Sequence, residues 1–261
     1  SRKIVPAKEA ILETQKRIEA LSKDITAQSI TDSFSLKRRK RKWFEKYHWT
    51  QTKNGFLIIG GKDISTNEEI AKRRMKANDL FFHAELHGAP YTILVRDSSK
   101  KEITEHDISA AAHLAAAFSS AWKAGYGAID VYYVPAEKVS FTAPSGEYIP
   151  KGGIMVRGTR NYVKGIEMAV AIGAEINDFN ATVIYGLEEE IRIRSPITII
   201  IKPGSTPKGK IAQKIRSIFV KKANSPEEKA KFQAIDFNEY VQAIPSDSVI
   251  SRVEYGKLDE D

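Results

Sequence analysis

Isoleucines recur every seven residues at Ile4, Ile11, Ile18 and Ile25, and Ala7, Thr14, Leu21 and Gln28 stand three positions further on. Lys, Glu and Arg fill much of the space between them. An apolar seam of this spacing predicts a helix that packs against another helix in coiled-coil fashion. We place it in residues 1–36. Thr14 and Gln28 weaken the seam, and so short a helix is marginal alone in water. The expected partner is a second copy of the chain or an antiparallel helix further upstream. The plainer alternative is a helix lying on its own domain.

Beyond residue 55 the pattern shortens. Phe56-Leu57-Ile58-Ile59, Asp79 to His83, Tyr91 to Val95, Ala128 to Val134 and Ile154 to Gly158 read as strands, the first closed by Gly60-Gly61. Ser65-Thr66-Asn67-Glu68-Glu69 has capping-box spacing and predicts a helix through Met75, and Ile108 to Ala124 reads as one Ala-rich helix ended by Gly125. Residues 140–153 carry two prolines and three glycines and form a long loop, a feature that tends to be functional inside a domain. In the last third, alternating apolar runs over 165–195 precede a strand from Ile197 to Lys202. A basic amphipathic helix follows from Lys208 to Ala223, then a second helix from Phe232 to Ala243. The expected fold class is α+β. A mixed β-sheet domain with packed helices spans 37–165, the coiled-coil helix precedes it, and a small α/β module spans 166–261.

Composition narrows the function. The 261 residues, 42% of them hydrophobic, can build a core without metal or disulfide support. Cysteine is absent, which excludes disulfides, thiolate zinc sites and a cysteine nucleophile and fits the cytoplasm. No apolar run has the length of a membrane span. The formal net charge of +8 points to polyanionic partners, nucleic acid first.

The cations are clustered. Lys37, Arg38, Arg39, Lys40, Arg41 and Lys42 are consecutive and run directly into Trp43, Phe44, Tyr47, His48 and Trp49. A bare charge run is ordinarily a solvated face. One joined to aromatic residues suits RNA, because cations hold phosphates and rings stack on bases. We expect Trp43 and Phe44 in the core with the cations and Trp49 outside. Further candidates are Lys72, Arg73 and Arg74, then Arg157, Arg160 and Asn161, then Lys208 and Lys210 at a glycine-containing helix start, where phosphate is favoured. His83, Glu85 and His87 have a metal-compatible spacing, but the apolar run before them reads as a strand, and histidines that bond within the fold or contact phosphate are the commoner outcome. Gly60-Gly61-Lys62 lacks the remaining P-loop residues and reads as a turn. No Gly-x-Ser-x-Gly nucleophile elbow is present, and no catalytic residue, metal or cofactor is expected.

Several segments together resemble one family. Trp43-Phe44-Glu45-Lys46-Tyr47, Gly55 to Asp63, Asn78-Asp79-Leu80-Phe81-Phe82-His83-Ala84-Glu85-Leu86-His87-Gly88-Ala89, Thr142-Ala143-Pro144-Ser145-Gly146-Glu147-Tyr148 and Met155 to Asn161 resemble, in order, the NFACT-R domain of the NFACT family. Ile201-Lys202-Pro203-Gly204, Lys208 to Ala212 and Ala243-Ile244-Pro245 are similar to its NFACT-C region, and the heptad helix to the end of its middle coiled coil. The resemblance implies ribosome quality control of the RqcH/NEMF type. Such a protein binds the stalled large ribosomal subunit, through its rRNA, and tRNA, and supports untemplated C-terminal tailing of the trapped chain. Bond formation is left to the ribosome, so no enzyme is implied. It also implies a cytoplasmic setting, contacts to a ubiquitin ligase or other quality-control factors through the coiled coil, and a homodimer as one option. The family's N-terminal domain, implicated in tRNA recognition, has no counterpart in these residues. Two other readings stay open: a metal-dependent hydrolase or nuclease using His83, Glu85 and His87, and a protein-interaction scaffold.

Overall fold

The computed structural model describes residues 13–22, 41–86, 88–96, 102–141 and 153–256. Residues 13–22 are helical (α1), with Ile18 and Leu21 each 60% exposed. The rest of the heptad seam, Lys37 to Lys40, His87, nearly all of the 140–153 loop and the acidic tail lie outside the described residues.

Two antiparallel sheets organise the remainder, an α+β architecture. The first has the order β1-β2-β4-β3-β5-β8, from His48–Gln51, Leu57–Gly60, Thr92–Val95, Leu80–Ala84, Ala128–Pro135 and Asn161–Glu167. The second has the order β10-β9-β11-β12, from Ala181–Gly186, Val170–Ile176, Ile197–Thr206 and Ser248–Tyr255. A short ribbon pairs β6 (Val139–Ser140) with β7 (Met155–Val156).

Alternation along the strands separates the two faces of the first sheet. Ile58, Phe82, Leu94 and Val131 enter the main core, while Ile59, Phe81, Ile93, Tyr132 and Val134 form a second cluster on the opposite face. The registers agree with this, since Ile58 pairs with Leu94, and Ile59 with Ile93. The second sheet behaves alike: Ile199 and Ile201 join the main core, and Ile200 meets Ala171, Ile184 and Ile191 of α5 (Glu188–Arg192).

The main core is shared. It unites residues of the first sheet with Ile172, Val183 and Tyr185 of the second, and with Phe219, Phe232 and Tyr240 of α6 (Lys208–Lys222), α7 (Pro226–Ala234) and α8 (Phe237–Ala243). At its centre runs α3 (Glu105–Ala117), buried continuously from Ala110 to Ala117. Alanine is the residue that allows a helix to be enclosed on every side, because it keeps neighbours close at no cost in side-chain entropy. Trp122 completes the join: its indole N–H lies 3.2 Å from both the Asp247 carbonyl and the Ser248 hydroxyl, at the start of β12.

Three helix expectations are corrected. The stretch from Ile108 to Ala124 is two helices, because Phe118–Ser119 ends α3 and Ser119 caps α4 (Ser120–Lys123). Phe232 to Ala243 is also divided: α7 begins earlier, at Pro226 behind the Ser225 cap, and Asp236 caps a separate α8. The helix after β2 starts at Ile64, not Ser65. Its cap is Asp63, whose carboxylate accepts the Thr66 amide at 2.8 Å. This helix, α2 (Ile64–Glu69), widens into a π turn over Ile70–Arg74 in place of a regular end at Met75.

Candidate nucleic-acid interface

The second cluster of the first sheet is covered at one end by the turn Trp43–Lys46 and the π turn, and at the other by the β6–β7 ribbon. Functional candidates gather at both ends.

At the first end Trp43 is 48% exposed, contrary to the expected core position. Its edges meet Phe44 at 5.7 Å and Tyr47 at 6.4 Å between ring centroids, and the Arg74 guanidinium lies over the indole at 4.8 Å. Arg74 is held there by the Tyr47 hydroxyl and by Glu69, each at 3.3 Å. Lys46 also bonds Glu69, at 2.6 Å. Lys72 pairs with Glu68 at 3.2 Å, and Arg73 is exposed beside them. Lys42 lies 5.7 Å from the Phe44 ring. Trp49, the ring selected from sequence, is instead half-buried against Phe44 at 4.9 Å, with its amide bonded to Tyr185. Of the aromatic residues that follow the basic run, the one best presented to solvent next to a cation is therefore Trp43.

At the other end β3 carries His83, which lies near Tyr91 and Tyr132, with ring centroids 5.7 and 6.0 Å away. Burial lowers His83 to about 4 from 6.5, outweighing a hydrogen bond to the Ala89 backbone, so the ring is neutral near pH 7. It can stack or hydrogen-bond but brings no charge. The neighbouring charge comes from Arg160, whose guanidinium sits over Tyr132 at 4.6 Å and is paired with Glu85. Tyr162, 42% exposed, donates to the same carboxylate at 3.3 Å. Glu85 is thus engaged by Arg160 and Tyr162, and among the described residues no three His, Cys, Asp or Glu side chains are placed to hold a metal. Arg157 and Asn161 are both exposed, Arg157 with its amide on the Lys138 carbonyl and Asn161 opening β8.

The shared motifs are explained by local geometry. Asp79 is fully buried and accepts the amides of Lys76 and Arg96, both at 2.8 Å, fixing where β3 begins and β4 ends. Asn67 Oδ1 accepts the Tyr91 amide at 2.9 Å, and Gly61 leaves room for it. Of the remaining candidates, Arg41 is paired with Asp236 at 3.3 Å, Lys208 is half-buried at the start of α6, and Lys210 is exposed. These lie toward the second sheet, so the structure divides the predicted residues between separate places.

Residues 46–158 match the family described as NFACT protein RNA binding domain, which fixes the class: a chain built around an RNA-binding domain. The chain is 37% identical over 182 residues to the archaeal Rqc2 homolog aRqcH of Methanocaldococcus jannaschii, covering 70% of this chain and 27% of that protein. It is 35% identical over 142 residues to the ribosome quality control complex subunit NEMF homolog of Drosophila melanogaster, covering 54% of this chain and 14% of the relative. Against the human subunit NEMF it is 34% identical over 164 residues, 59% of this chain and 15% of the relative. The chain belongs to the NFACT family, as an RqcH/NEMF-type member. It spans about a quarter of the archaeal relative and less of the animal ones.

Proposed function

We propose that this chain is the RNA-binding part of a ribosome quality control factor. In this reading it holds rRNA of a large subunit with a stalled nascent chain, together with tRNA, while the ribosome forms the peptide bonds of the tail. The work is cytoplasmic, and the chain needs no catalytic residue of its own. Contacts with a ubiquitin ligase and self-association belong to α1 and the heptad seam of the sequence around it.

The observation that carries the reading is Trp43: an indole 48% exposed, with Arg74 on the ring and Lys72 and Arg73 in the same basic turn, standing three residues ahead of the match described as RNA binding, which contains that turn. Rings and cations in this combination suit unstacked bases and the adjoining phosphates. The test is binding to tRNA and to large subunits over a salt series. Binding that weakens steeply with salt, and that Trp43→Ala and Arg73→Ala each weaken further, supports the reading. Binding indifferent to salt and to both changes rejects it in favour of a protein-interaction scaffold.

A further inference from the structure

Lys62 and Lys208 are far apart in the chain, one two residues beyond Gly60, which pairs with His48 of β1, and the other opening α6, yet both repel charge on the His48 ring. Lys62 Nζ donates to the neutral Gln242 Oε1 of α8 at 2.6 Å. Burial first, then repulsion from Lys208 and Arg41, lowers the Lys62 ammonium to about 8. Burial alone lowers that of Lys208. Among the described residues neither lysine forms an ion pair.

The carboxylates in the neighbourhood are engaged elsewhere. Asp63 accepts the Thr66 amide as the cap of α2, and its attraction is the weakest influence on Lys62. Asp236 holds Arg41 and accepts the Asn238 amide at 2.9 Å. Asp247 accepts the backbone amide of Lys208 at 3.2 Å. The ring of His48 stacks on Phe118 with centroids 3.8 Å apart, and its Nδ1 is buried with no hydrogen-bond partner. Two half-buried ammonium groups and an orphaned ring nitrogen, brought together without a counter-charge, disfavour the fold unless a ligand compensates them. A compact anion with several acceptor oxygens would do so through charge-assisted hydrogen bonds.

We infer that Lys62, Lys208 and His48 form a phosphate-binding site where the two sheets meet. The phosphate group is either one on bound RNA, which rests on the function proposed above, or free inorganic phosphate. Arg41 stands at the rim, where the basic run enters the fold, so an RNA held by that run would arrive beside the site.

The experiment is thermal melting of the full chain with inorganic phosphate against chloride at equal ionic strength, alongside RNA binding by the same variants. Phosphate at ten times its Kd is expected to raise the Tm by roughly 3–5 °C. Lys62→Gln and Lys208→Gln should each abolish that shift, and Lys229→Gln on the surface of α7 should keep it. If the two variants also weaken RNA binding, and phosphate competes with RNA, the occupant is an RNA phosphate. Loss of the phosphate shift with RNA binding intact identifies a free-phosphate site and leaves the RNA reading to stand on Trp43. An absent shift, or one that survives in both variants, overturns the inference. Should Lys62→Gln not fold, Lys208→Gln decides by itself.

Discussion

The backbone amide of Trp49 donates to the phenol oxygen of Tyr185 at 2.9 Å, tying the outer strand β1 of the first sheet to the outer strand β10 of the second. Tyr185 is buried, and its hydroxyl is held protonated well above the usual tyrosine range by that burial. Tyr185→Phe keeps the ring and removes the acceptor, leaving the Trp49 amide unsatisfied. Denaturant unfolding should show a loss of about 1–2 kcal/mol.

Gly61 should not tolerate a methyl group. A Cβ there would collide with the Asn67 side-chain amide and lie 2.9 Å from the Asn67 backbone nitrogen. The same amide receives the Tyr91 N–H, so it cannot move away freely. Gly61→Ala is expected to cost about 1–3 kcal/mol by denaturant melt. Asn67→Ala in the same background should recover little, since it removes the bond to Tyr91 as well.

Stacking and charge should separate in RNA binding. Trp43→Ala removes an exposed ring and should weaken binding to single-stranded RNA by about 1–3 kcal/mol with little change in salt dependence. Arg73→Ala should lower the salt slope by about 1 and leave stability within about 0.5 kcal/mol. Fluorescence anisotropy across a salt series distinguishes the two.

Mild acid should destabilise the fold. His83 is lowered to about 4 by burial, and His48 and His113 are lowered for the same first cause. Between about 4 and 6.5 the unfolded chain therefore binds more protons than the folded one, and stability rises with pH over that window. Below it the histidine contribution is lost; above 6.5 it is complete. The Tm should fall as pH drops from 7 to 4, and less steeply in His83→Gln.

Much of this was legible in the sequence because it is local. The continuous apolar runs gave β2 and β4 to within a residue and the start of β11, which runs through Pro203-Gly204 to Thr206, and the spacing of Ile211, Ile215, Ile218 and Phe219 gave the inner side of α6, with Ile218 half-buried at its margin. Part of what escaped depends on partners distant in sequence. Hydropathy assigns Trp43 to the core, and its exposure is set by Arg74 and Tyr47. Lys62 reads as part of a turn, and only folding brings it toward Lys208. The break at Ser119 carries neither glycine nor proline; its hydroxyl bonds the Ala116 carbonyl at 2.7 Å. Ser225-Pro226 and Asp236, by contrast, are readable cap signals for α7 and α8, and Asp236 marks the point at which the segment from Phe232 to Ala243 divides.

The π turn makes the basic end a matter of phase. The Met75 amide reaches back five residues to the Ile70 carbonyl, at 2.9 Å, where an α-helix would reach back four. One residue more than the α count rotates everything after it by about 100°. Removing a single residue there would leave the composition almost unchanged and swing Arg74 off the indole and away from Glu69. The alignment of cation and ring is thus stored as a count of residues, and a one-codon deletion could erase it while every charge remained.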